Sequence, residues 1–201
     1  GQYDRSIAYF NKAIKINPRY AEVYNYRGLA YEAKGQSDKA ISDFTKAIEI
    51  NPRYAEVCNY RGLTYVKKGQ SDKAISDFTK AIEINPRLAE AYTGRWSAYV
   101  IKGQYDKVIS DCNKAIEINP RFAEAYISRG GAYAIKGQYD KALSDCNKAI
   151  EINPRFAEAY TIRGGVYFYK GQYDKACSDF KQACELGLCI PYEMLKTILC
   201  K

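Results

Sequence analysis

Residues 21–54 read AEVYNYRGLAYEAKGQSDKAISDFTKAIEINPRY. Tyr24, Gly28 and Tyr31 are spaced i, i+4, i+7, which places them on one face of a helix. Gly35 follows as a left-handed stop, a conformation that is costly for residues with a Cβ. Ala40, Ile41, Phe44, Ala47 and Ile48 then form a second apolar stripe at helical spacing. Asn51-Pro52 ends that second helix, because proline disfavours helical geometry in the residue before it and has no N–H to donate. The stretch is therefore a helical hairpin with a short turn. Its small residues, Gly28, Ala40 and Ala47, let the two helices approach while aromatic side chains fill beside them.

The hairpin recurs. Gly1, Gly35, Gly69, Gly103, Gly137 and Gly171 stand 34 residues apart, and so do Pro18, Pro52, Pro86, Pro120 and Pro154. A fixed period of this length means stacked copies of one small unit, each touching its neighbours, rather than a single globular core. The period divides the chain into a half repeat at 1–20 and full repeats at 21–54, 55–88, 89–122, 123–156 and 157–190. Residues 191–201 follow, where Leu195, Ile198 and Leu199 share one face, as in a helix that caps the end of a stack. The fold class is all-α, built from stacked antiparallel helix pairs. The first residue is not Met and falls in mid-repeat, which reads as part of a longer chain.

Composition narrows the function classes. Hydrophobic residues make up 47% and charged residues 27%, the balance of a soluble folded protein. No apolar run approaches the roughly 18 residues of a membrane helix, so no membrane insertion is expected. The net charge of +8 is spread, with lysines alternating with acids and no basic block, which argues against a nucleic-acid partner. The chain has no histidine, no Gly-rich phosphate loop and no Ser or Cys beside a plausible base, so no catalytic residue, metal site or cofactor is expected and the protein reads as a non-enzyme. Of the seven cysteines, Cys112 and Cys146 take the slot of Phe44, Phe78 and Phe180. Cys58 replaces a recurrent Tyr, and Cys177 and Cys184 replace Ile or Leu. Such positions suit thiols packed as small apolar groups in a reduced, cytoplasmic setting. Pairing among Cys184, Cys189 and Cys200 is the alternative for an oxidising one.

With these residues in view, the unit resembles the tetratricopeptide repeat. That family's aromatic, Gly, Tyr, Ala, Phe, Ala and Pro slots hold Tyr24, Gly28, Tyr31, Ala40, Phe44, Ala47 and Pro52, and the match recurs over nearly the whole chain. The resemblance implies a right-handed superhelical solenoid whose first helices line a concave groove that binds a protein or peptide ligand. One departure is systematic: the family's Leu before the Gly is Arg27, Arg61, Arg95, Arg129 and Arg163. Each has an Asp sixteen residues on, at Asp43, Asp77, Asp111, Asp145 and Asp179. Two partly buried charges need partners, so an Arg–Asp pair is expected across each hairpin, against the alternative of two solvated charges.

Slots that pack repeat the same residue types, and a slot that varies is freer to face solvent. On the first helices the most varied stripe is Asn25, Leu29, Glu32; Asn59, Leu63, Val66; Thr93, Ser97, Val100; Ile127, Gly131, Ala134; and Thr161, Gly165, Phe168. This is the candidate peptide groove. Gly131 and Gly165 should deepen it locally. Glu22, Glu56, Glu90, Glu124 and Glu158 recur in the first turns, where the helix dipole favours acids. The family's clamp for a C-terminal carboxylate needs Lys, Asn and Arg on these helices. The cations are missing here, so an apolar or basic peptide fits better. Trp96 stands where other copies have Gly. It either fills the core, with Cys112 and Gly94 making room, or is an exposed anchor. Residues 3–16 are a second-type helix without its partner. With Ile7, Phe10 and Ile14 facing water, residues 1–16 offer an alternative function, self-assembly into a homo-oligomer through this edge.

Overall fold

The computed structural model describes residues 1–189, and the expected capping helix at 191–201 lies outside them. The described residues form eleven α-helices and no strand. They fall into two compact units divided at Gly103 and Gln104. The first unit holds α1 (Gln2–Ile16), α2 (Ala21–Ala33), α3 (Ser37–Ile50), α4 (Ala55–Lys67), α5 (Ser71–Ile84) and α6 (Ala89–Ile101). The second holds α7 (Tyr105–Ile118), α8 (Ala123–Ile135), α9 (Tyr139–Ile152), α10 (Ala157–Tyr169) and α11 (Tyr173–Glu185). The helices follow the 34-residue period, and the unit boundary falls at the turn inside the 89–122 repeat.

Each first helix ends as its sequence requires. Gly35 has φ 70°, and its N–H donates to the Glu32 carbonyl while the Gln36 N–H donates to the Tyr31 carbonyl, both at 2.9 Å. This pair of bonds satisfies carbonyls that the helix end would leave open. The second helix ends on Asn51, which the following proline holds extended at φ −125° and ψ 91°. Asn51 Oδ1 accepts the Arg53 N–H at 3.1 Å, closing a side-chain turn that leads into the next hairpin.

Within the first unit, α2 packs on α3 and α4 on α5, and each second helix also touches the next first helix, α3 on α4 and α5 on α6. The second unit repeats the scheme with α8 on α9, α10 on α11, α7 on α8 and α9 on α10. Ala40, Phe44 and Ala47 are fully buried, as are Ala74, Phe78 and Ala81. Phe78 sits between two glycines: a Cβ on Gly62 would lie 2.8 Å from its ring and one on Gly94 only 2.3 Å. Gly94 therefore makes room for Phe78 rather than for Trp96, the neighbour that its sequence position suggested. Trp96 is itself 6% exposed, which places it in the core rather than as a surface anchor. On α1, Phe10 stacks on Tyr26 with ring centroids 6.1 Å apart, and Ile14 packs on the core around Ala21 and Tyr24. Ile7, Phe10 and Ile14 are thus half-buried against the first unit rather than facing water, and the exposed large apolar residues of α1 are Tyr3, Tyr9 and Ile16.

The expected Arg–Asp pair forms in the copies of Arg27, Arg61, Arg129 and Arg163. Arg61 donates from Nε and Nη2 to the two carboxylate oxygens of Asp77, both at 2.7 Å. Arg27–Asp43, Arg129–Asp145 and Arg163–Asp179 have the same two-point geometry. The remaining guanidinium nitrogen reaches back to the previous second helix: Arg27 to Asn11 Oδ1 at 2.6 Å, Arg61 to Thr45 Oγ1 at 2.9 Å, and Arg163 to Asn147 Oδ1 at 2.7 Å. Each arginine therefore ties three helices together. The hydrogen bonds that each arginine donates to its Asp raise the arginine pKa against a smaller opposing effect of burial. The aromatic slot adds another tie, with the Tyr24 hydroxyl donating to the Pro18 carbonyl at 3.3 Å and Tyr160 to that of Pro154 at 3.1 Å.

Candidate functional site

Two rungs of the varied stripe line open grooves, except for Val100 and Phe168, which are exposed outside the two linings, and the third rung does not. The rung nearest the helix starts is packed. Asn25, Asn59 and Ile127 are 5%, 4% and 6% exposed, against the expectation that a varying slot faces solvent. Neighbouring first helices touch here, α2 with α4 and α8 with α10, and Ile127 joins a cluster with Ala159 and Ile162. The Oδ1 atoms of Asn25 and Asn59 are buried without a hydrogen-bond partner. Thr93 and Thr161, half-buried in the same rung, donate their hydroxyls to their own helices, at Glu90 O and Ala157 O.

In the first unit the other two rungs line a groove of about 250 Å³ with Leu29, Glu32, Leu63, Val66 and Ser97 on its walls and the Phe44 and Tyr60 rings behind. Leu63 is 40% exposed, and Val100, beside it in the stripe, 45%. Glu32 is not a free acid there: Lys67 donates to it at 2.5 Å and Ser37 at 3.3 Å. The Ser97 hydroxyl is taken by the Thr93 carbonyl. This groove offers aliphatic contact and little free polarity.

In the second unit Gly131, Ala134 and Gly165 line a larger groove of about 650 Å³, walled by Ile135, Tyr139, Ile162, Val166 and Tyr169. Where the first unit has Leu29 and Leu63, this one has glycine, and that exchange opens the space. A Cβ on Gly165 would meet nothing within 4 Å, and one on Gly131 only Ile162 Cδ1 at 3.5 Å. Helix packing therefore does not require either glycine, although each weakens its helix by about 1 kcal/mol relative to alanine. Tyr139 and Tyr169 stack at 6.1 Å with planes 5° apart. Phe168, the last varied residue and 37% exposed, meets the Tyr169 ring edge-on at 5.9 Å.

Ile135, Tyr139, Ile162 and Tyr169 were not in the sequence-derived stripe. Their signal was present: the slot of Ile162 reads Tyr26, Tyr60, Gly94, Ser128, Ile162 along the chain, and that of Tyr169 reads Ala33, Lys67, Ile101, Ile135, Tyr169. Both vary as much as the chosen stripe.

No group of three or more His, Cys, Asp or Glu side chains among the described residues is placed to hold a metal ion. No helix among them is long and apolar enough to cross a membrane. Cys58, Cys112 and Cys146 are free thiols buried in the core. Burial pushes all three thiols up from their ordinary pKa, Cys146 to about 12. Cys184 and Cys189 are joined by a disulfide at the end of α11.

Sequence models of the tetratricopeptide repeat match at residues 21–54, 55–88 and 123–156, at 89–122 and at 146–178, and a TPR repeat model matches at 1–35. A comparison with curated protein sequences finds no match. Among solved structures, MamA is 33% identical with a TM-score of 0.73, over 79% of this chain and 93% of its own. YrrB, described as a TPR protein with an unusual peptide-binding site, is 26% identical with a TM-score of 0.76, over 94% of this chain and 95% of its own. A tetratricopeptide repeat protein from Parabacteroides merdae is 25% identical with a TM-score of 0.66, over 99% of this chain and 77% of its own. Period, hairpin geometry and sequence match agree, and the chain belongs to the tetratricopeptide repeat family.

Proposed function

We propose that this protein is a non-catalytic interaction scaffold that binds a peptide, or an extended segment of a partner protein, in the grooves lined by its first helices. The carrying observation is where variation and exposure coincide. Leu63, Val100 and Phe168 vary between copies and stand 40%, 45% and 37% exposed on the first helices. The recurring Arg and Asp slots of the hairpins, by contrast, are held in ion pairs such as Arg27–Asp43 and Arg163–Asp179. Apolar side chains left open where packing does not need them favour contact with a partner. The similarity to YrrB, whose description includes a peptide-binding site, supports the same reading.

The test is affinity capture with the wild-type chain and with Leu63→Asp, Val100→Asp and Phe168→Asp. These positions are open enough for the variants to fold. Specific partners are expected to bind the wild type and to fall at least tenfold with the triple variant. Equal capture by both would reject the first-helix grooves as the binding face.

A further inference from the structure

We infer that the groove between α8 and α10 is an anchor site for one bulky apolar side chain of a basic peptide, with Glu124 and Glu158 holding the peptide's cations. The inference rests on the scaffold reading above and names the ligand class for one of its grooves.

Three observations carry it. First, the space is made by glycines that packing does not demand, since a Cβ on Gly165 meets nothing and one on Gly131 makes only ordinary contact. Second, the groove of about 650 Å³ has no charged residue on its walls, and the parallel rings of Tyr139 and Tyr169 offer flat apolar surface. It suits a leucine-sized or aromatic side chain and gives nothing to a carboxylate. Third, two unpaired acids stand seven residues before these glycines, on the same faces of the two helices. Glu124 and Glu158 are exposed in the first turns of α8 and α10. They lie seven residues before Gly131 and Gly165, about 10 Å along each helix. No ion pair among the described residues engages either carboxylate. At the opposite ends of these helices the cations are already taken, with Lys136 paired to Asp106 and Lys170 to Asp140. An occupant carrying lysine or arginine is therefore favoured over an acidic one. In an extended peptide, about three residues at 3.3 Å each separate the anchor from the first cation.

The experiment is a ¹⁵N NMR titration of the full chain with an acetylated, amidated Leu-Gly-Gly-Lys-Lys peptide. Its controls carry glycine in place of the leucine, or glutamates in place of the lysines. The expected result is saturable shifts at Gly131, Gly165 and Tyr169, with affinity at least tenfold weaker for either control. Gly165→Leu should fill the groove, keep the thermal midpoint at or above the wild type, and lose binding at least tenfold. The exposed pair Glu124→Lys and Glu158→Lys leaves the core untouched and should exchange the preference for the lysine peptide for the glutamate one. Equal binding of the glycine control, or unchanged binding by both sets of variants, would overturn the assignment. So would contacts in the free protein between residues 190–201 and the groove, or peptide-free shifts there that grow with protein concentration, because the chain or a second copy would then be the occupant. Partner capture that depends on Leu63 and Val100 but not on Gly165 would leave the scaffold reading standing and remove this one.

Discussion

A Cβ added to Gly94 would sit 2.3 Å from the Phe78 ring, whereas one added to Gly165 would meet nothing within 4 Å. Both residues lie inside helices, so the same substitution should act in opposite directions. Gly94→Ala is expected to destabilise by about 2 kcal/mol, because the fully buried Phe78 has nowhere to move. Gly165→Ala is expected to stabilise by about 0.5–1 kcal/mol from helix propensity alone. Chemical denaturation of the two variants checks this, and a stability loss at Gly165 would mean that the glycine serves packing after all. The buried thiols give a second residue-scale test. Burial holds the Cys146 pKa near 12, while in the unfolded chain it is about 8.5. The unfolded state loses that proton first, so the thiol's contribution is intact below about pH 8.5 and declines as pH rises toward 12, by about 1.4 kcal/mol per pH unit. Subtracting the alkaline stability profile of Cys146→Ala should isolate this slope. A flat difference would remove the desolvation argument.

At the scale of the helices, the Arg–Asp pairs set how one hairpin meets the next. Arg61 has 17% and Asp77 8% of its side chain exposed, so removing one partner strands a largely buried charge. Asp77→Ala is expected to cost about 3 kcal/mol, while the double change Arg61→Leu with Asp77→Ala costs much less, since leucine restores an apolar packing partner. A coupling energy near zero in this cycle would reject the pair as a stabilising unit. The pairing was legible in the sequence because arginine and aspartate recur together at one offset. The third arm of the guanidinium, to Asn11, Thr45 or Asn147, was not read, although that slot is polar in these copies. Periodicity also announced the helical hairpin and its stop signals, Gly35 and Asn51-Pro52. It placed the groove only in part. A varying slot is one where packing tolerates change, and packing can do so inside a contact: Asn25, Asn59 and Ile127 vary and are buried, because neighbouring first helices touch at that rung. The walls made by Ile162 and Tyr169 were missed because two adjacent varying slots together form the lining, and a single stripe captures one of them.

For the molecule as a whole, stacking makes stability a local quantity. Within each unit a helix contacts its neighbours along the chain, so cooperativity is a sum of internal and nearest-neighbour terms that fades with distance. Phe78 tests this directly, because it is fully buried and is held by glycines from α4 and α6. Phe78→Leu removes ring volume from that clasp and is expected to cost about 2 kcal/mol. Native-state hydrogen exchange then reads where the loss falls. Amides of α4, α5 and α6 should exchange about thirtyfold faster, the equivalent of that energy. Amides of α10 and α11, in the other compact unit, should change less than about threefold if the coupling decays repeat by repeat. A uniform acceleration from α2 to α11 would show a single all-or-none unit instead. In that case the groove of one unit could not be remodelled without disturbing the other, and the freedom of Gly131 and Gly165 to vary would need an explanation other than local tolerance.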